Sequence, residues 1–137
     1  MIRVSLTLRR APAYKALWEE ARVHEMGIAA EVARLAAREA EAAGATRIVG
    51  LRLRVGRWSG VEPESLRFAL EALGEGTPLA GCRVEIEAVE PAFRCGSCGE
   101  EYPGAGYFDP CPRCGGVGSD LVAGDELSLA EIEVEDP

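Results

Sequence analysis

FRCGSCGEEYPGAGYFDPCPRCGG, residues 93–116, decides how the rest of this chain is divided. It holds Cys95-x-x-Cys98, twelve intervening residues and Cys111-x-x-Cys114, with too few aliphatic side chains to pack a core of its own. Two tight turns that each offer two thiolates supply the four ligands tetrahedral Zn(II) prefers. Gly99 and Gly115 follow the second cysteine of each pair, where positive φ lets backbone N–H groups point at the sulfurs. A pair of disulfides, or a single iron on the same four thiolates, are the rival uses of this pattern. Disulfides suit an oxidising compartment, and ligand type alone does not separate iron from zinc. A closed four-thiolate site leaves no position for a reactive water, so zinc here is expected to fold the segment, not to catalyse.

The flanks of the cluster read as strands. Upstream, CRVEIEAVE (82–90) alternates Cys82, Val84, Ile86 and Ala88 with Arg83, Glu85 and Glu87. Cys82, on the apolar side, is expected to be a small buried hydrophobe and not a ligand. Downstream, ELSLAEIEVED (126–136) is again strand-like, but its apolar parity moves from Leu127 and Leu129 to Ala130, Ile132 and Val134. A bulge or a change of sheet near Ala130 would account for the move. The cysteine segment is therefore an insertion between two strands of one sheet. A further strand lies in RIVGLRLRVG (47–56), where Val49, Leu51, Leu53 and Val55 share a face and Arg52 and Arg54 could pair with Glu85, Glu87, Glu133 or Glu135. Two amphipathic helices accompany it. One begins near Met26, carries Ile28, Val32, Leu35 and Ala36, and is closed by Gly44. The other starts at Pro63, carries Leu66, Ala69, Leu70 and Leu73, and ends at Gly74.

At 137 residues, 47% hydrophobic, the chain can bury one modest core and one small module, which excludes a large multidomain enzyme. The net charge of −8 and scattered arginines leave no basic patch for nucleic acid. No apolar run approaches the roughly 18 residues needed to span a bilayer, and no signal peptide is convincing, so a cytoplasmic location is expected. Charge is uneven. Residues 1–22 carry five basic and two acidic side chains, including the sole lysine, Lys15, whereas the remainder carries ten basic and twenty-one acidic.

His24 is the only histidine. Its plain use is as a polar residue near a helix start. His24-Glu25 immediately before a helix nevertheless gathers an imidazole, a carboxylate and unpaired backbone amides in one exposed place. Were the chain to begin at residue 23, the terminal amine would join them. That amine, the His24 amide nitrogen and its Nδ1 form fused chelate rings around a square-planar ion, a geometry that selects Ni(II) and Cu(II).

From VHEMGIAAEV (23–32), through LRVGRWSGVEPESLRFALEAL (53–73) and GTPLAGCRVEIE (76–87), to the cysteine cluster and the terminal strand, the chain resembles the HypA-type hydrogenase nickel incorporation proteins. Family chains open Met-His-Glu; Val23 stands at the methionine's position. The resemblance implies an α+β fold, with a two-helix, three-stranded-sheet nickel-binding domain over residues 23–90 plus 124–137 and an inserted four-cysteine zinc-ribbon domain over 91–123. It implies a metallochaperone, not an enzyme, with structural Zn(II) on Cys95, Cys98, Cys111 and Cys114 and Ni(II) as transient cargo. The implied partners are a HypB-type GTPase and the large subunit of [NiFe]-hydrogenase, with urease as another client of relatives, and neither nucleic acid nor membrane. The chain itself would be a monomer or weak homodimer. By the same resemblance His24 is the principal nickel ligand, Glu25 contributes through its backbone amide or as a partner-recognition side chain, and Glu62 lies near the metal. Glu62 also reads as a helix N-terminal acid stabilised by the dipole. A zinc-ribbon adaptor that carries no nickel is the competing function; a metal-dependent enzyme fits poorly with one histidine and a closed zinc site.

Residues 1–22 lie outside the resemblance. They are expected to be an extension arising from a start site assigned too far upstream, with translation beginning at Val23 on a GTG codon. In a GC-rich genome Trp18-Glu19-Glu20 would be written TGG-GAG-GAG, which contains a ribosome-binding sequence just before Val23. The competing expectation is that MIRVSLTLRR is a real extra strand and APAYKALWEEA a real helix.

Overall fold

The computed structural model describes the backbone of Ile2–Ser5 and residues 25–135 in full. Its elements run β1 (Ile2–Ser5), α1 (Glu25–Ala42), β2 (Ile48–Gly56), α2 (Pro63–Gly74), β3 (Arg83–Val89), β4 (Ala92–Cys95), β5 (Glu101–Pro103), β6 (Ser119–Ala123) and β7 (Leu127–Val134). Two sheets result, one ordered β1-β7-β2-β3 and one ordered β5-β4-β6. The segment from β4 to β6 is thus inserted between two strands of the larger sheet, as the flanking patterns required. Both expected helices and the three expected strands are present, and Ile2–Ser5 adds a fourth strand antiparallel to β7. It is the start of the extra strand that the competing expectation placed in MIRVSLTLRR; the helix it placed in APAYKALWEEA lies outside the described residues.

Helix α1 places Ile28, Ala29, Val32, Ala36 and Ala40 in the core, and Gly44 follows it at φ 72°, where an L side chain would be strained. Helix α2 begins with Pro63 and buries Leu66, Ala69, Leu70 and Gly74. It links β2 to β3, which pair in parallel; β7 returns antiparallel on the other side of β2. The two helices cover one face of the sheet, and their apolar stripes meet Leu51, Leu53, Val55, Val84, Leu129, Ile132 and Val134 in a single core.

Two bulges set which side chains enter that core. Arg52 pairs with Glu131 and Leu53 with Leu129, so Ala130 is the extra residue, where the parity of β7 changes. A second irregularity, between Ile48 and Gly50, leaves Val49 without a partner on β7. It corrects the alternation expected from Val49: Ile48 is fully buried and Val49 only half-buried. On the opposite face, Arg54 meets Glu87 at 3.7 Å and Arg52 meets Glu131 at 3.3 Å. Glu85 and Glu133 are taken by Arg83, at 3.1 and 2.8 Å.

Candidate metal centres

The ribbon has a very small interior, in which Phe93, Cys95, Tyr102 and Cys111 are buried and Leu121 packs against them. Too little apolar area is enclosed to hold three short strands by itself. The sulfurs supply what the core lacks. The four Sγ atoms of Cys95, Cys98, Cys111 and Cys114 all lie within 4.8 Å of one another. Cys95 and Cys114 are 3.6 Å apart, as are Cys98 and Cys111. Zinc–thiolate bonds near 2.3 Å imply a tetrahedron edge of about 3.8 Å, so the donor set fits a tetrahedral ion with small adjustment. Disulfide geometry, with sulfurs near 2.05 Å, is absent here, and all five cysteines are free.

Each Cys-x-x-Cys turn is closed in the same way. Gly99 donates its N–H to the Cys95 carbonyl at 3.0 Å and Gly115 to that of Cys111 at 2.8 Å, at φ 78° and 73°. The turns aim amides at sulfur: Ser97 N–H points to Cys95 Sγ and Gly116 N–H to Cys114 Sγ, both at 3.4 Å. Amides of Cys98 and Ser97 pull the Cys95 thiol down to about 6. At Cys98 the Glu100 amide also favours the thiolate, but desolvation and hydrogen bonds from Cys111, Cys114 and Cys95 outweigh it and push the thiol up to about 11. The folded turn thus favours the thiolate at Cys95, and metal binding by thiolates releases protons. Cys82 stands apart, half-buried against the main core, its thiol raised to about 11 by burial.

The second centre concerns the starts of α1 and α2. His24 lies outside the described residues. Glu25, the first residue of α1, and Glu62, the N-cap of α2, line one open cleft of about 410 Å³ together with Met26, Glu64, Ser65, Phe68 and Ala69. Glu62 accepts the Glu64 and Ser65 amides at 3.2 and 2.6 Å, and these bonds hold its carboxyl below the usual range. The helix-start use of Glu62 is therefore realised, and Glu62 shares its cleft with Glu25.

Sequence reasoning did not find the aromatic group that ties the ribbon to the main domain. Trp58, just after β2, meets Phe93 and Tyr107 at ring centroid distances of 5.6 and 5.7 Å, and Phe93 meets Tyr107 at 5.3 Å and Tyr102 at 6.2 Å. With only two Trp, three Tyr and three Phe in the chain, this gathering takes half of its aromatics, a scarcity that could have drawn attention to them.

A two-helix, four-stranded domain with an inserted tetrathiolate ribbon defines a small α+β protein built to hold metal. The chain belongs to the HypA family: the profile described as "Hydrogenase/urease nickel incorporation, metallochaperone, hypA" matches residues 23–134. The hydrogenase maturation factor HypA of Geobacter metallireducens is 42% identical over 113 residues, which are 82% of this chain and 100% of that protein. That of Chlorobaculum parvum is 37% identical over the same shares. The fold is that of the solution structure of HypA protein, with a TM-score of 0.67 at 19% identity over 82% of this chain and 97% of that one. It is likewise that of the solution structure of the Ni metallochaperone HypA from Helicobacter pylori, with a TM-score of 0.60 at 19% identity over 80% and 96%.

Proposed function

We propose that this protein carries Ni(II) and delivers it during maturation of [NiFe]-hydrogenase, with a structural Zn(II) held by Cys95, Cys98, Cys111 and Cys114. The observation that carries the reading is the family match, which spans residues 23–134 and so includes both His24-Glu25 and the tetrathiolate cluster. His24 is the principal nickel ligand, and Glu25 adds its backbone amide or recognises a partner. Support for a role of Glu62 near the nickel is its position on the cleft that Glu25 lines. Zinc in the ribbon binds, orients and folds; a closed thiolate set gives it no open position for chemistry, so the protein works by carriage and not by catalysis. An exposed site of few ligands suits cargo that must be released. The partners are a HypB-type GTPase and the hydrogenase large subunit, with urease as a further client, in the reducing cytoplasm that metal-binding thiols require.

The test is genetic and chemical together. Deleting the gene from its own organism should leave the hydrogenase large subunit without nickel, and excess nickel in the medium should restore part of it. The wild-type gene should restore the metal and His24→Ala should not. Normal nickel content in the deletion strain would refute the role, and full rescue by His24→Ala would return the reading to a zinc-ribbon adaptor.

A further inference from the structure

Strand β7 would be a sheet edge were it not for β1, since the larger sheet is ordered β1-β7-β2-β3. The family match begins at Val23, so the shared core ends in β7 with its outer row of N–H and C=O groups available to an added strand. In this chain the row is taken by a segment from outside that core. The register is Ile2↔Val134, Arg3↔Glu133, Val4↔Ile132 and Ser5↔Glu131. Apolar residues therefore stand opposite Val134 and Ile132, both fully buried, and a basic residue stands opposite an acidic one. Charge alternates along the register, with Arg52 of β2 paired to Glu131 of β7, and Glu133 of β7 paired to Arg3 of β1.

We propose that the outer edge of β7 is a docking site for an extended segment in which apolar and basic residues alternate, that Ile2–Ser5 is its built-in occupant, and that a protein partner bearing such a segment adds there by displacing it. The cross-strand chemistry selects the occupant: directly opposed opposite charges stabilise a strand pair and like charges oppose it. A second copy of β7 is the wrong partner, because antiparallel pairing about Ile132 sets each Glu131 against a Glu133. Displacement is feasible because the built-in strand has four residues on an eight-residue β7, and among the described residues no strand pairs with the Leu127–Ala130 half on that side.

The experiment uses the full chain and a fluorescent peptide of its own residues, MIRVSLTLRR. Arg3→Pro and Val4→Pro introduced together remove whichever of the two adjacent N–H groups faces β7 and free the edge. Unchanged helical circular dichroism and zinc content report that the core stands. Peptide should bind this variant at least tenfold more tightly than the unaltered chain, and a peptide with Arg3→Glu at least tenfold more weakly than the original. Amide hydrogen exchange at Ile132 and Val134 should speed up in the variant and slow again with peptide. Absence of binding, equal affinity for the Arg3→Glu peptide, no gain over the unaltered chain, or dimerisation of the variant through β7 would each overturn the proposal.

Discussion

The Glu62 carboxylate accepts two backbone amides at the start of α2 and also lines the cleft that Glu25 lines, so one side chain serves a helix and, on the proposed function, the nickel as well. The two uses separate by substitution. Glu62→Ala removes both; Glu62→Ser keeps an N-cap acceptor and removes the charge. The melting temperature should fall by a few degrees in Glu62→Ala and return in Glu62→Ser, while nickel affinity should fall several-fold in both. The pH dependence has a definite sign. A carboxyl lowered on folding contributes stability that is complete above its ordinary value near 4.5 and is lost as pH falls through the lowered value. Wild type and Glu62→Ala should therefore differ steadily at neutral pH and converge in acid. Thermal melts across pH check it, and a constant gap down to the acid limit would contradict it. The cysteines were legible from spacing alone and His24 from being the sole imidazole. The unequal proton affinities of Cys95 and Cys98 were not, because they depend on where the amides of the folded turns point.

Strands and helices were legible wherever polar residues interrupt apolar ones with a clean period. The bulge in β7 could be read because a parity change is visible when every second residue is acidic. Its counterpart in β2 could not: Ile48 and Val49 are both apolar, so periodicity does not choose between them, and packing gives the place to Ile48. Also hidden was the crossing where the two connections to the ribbon meet the end of β2. Gly56 donates to the Glu126 carbonyl at 2.6 Å, Trp58 donates to that of Gly124 at 2.7 Å, and Gly124 adopts φ 109°. A Cβ on Gly124 would lie 2.5 Å from Pro91 Cα, and one on Gly56 would lie 2.2 Å from the Gly124 oxygen. Backbone meets backbone on both sides, so nothing can give cheaply. Gly124→Ala should cost roughly 2–4 kcal/mol in denaturant unfolding, from strain and overlap together. Gly106→Ala, where a Cβ meets nothing within 4 Å, should be close to neutral. Equal stability of the two variants would contradict this account of the crossing.

Taken as a whole, the molecule has two parts of different kinds, and the proposed function divides its metals between them. The division was legible because the ribbon is poor in aliphatics and rich in cysteine, whereas the main domain has the reverse composition. How the parts join was not, since the Trp58–Phe93–Tyr107 contacts bring together residues distant in sequence that no periodicity links. Among the described residues no helix is long and apolar enough to cross a membrane. The central claim is that resident zinc and travelling nickel occupy separate sites. Native mass spectrometry of the purified chain, titrated with Ni(II) and compared with His24→Ala, addresses it directly. The account predicts one zinc in both proteins, one added nickel in the wild type that a chelator removes readily, and no added nickel in His24→Ala. Nickel uptake that is unchanged in His24→Ala, and that expels zinc one for one, would place the cargo on the thiolates and contradict the account.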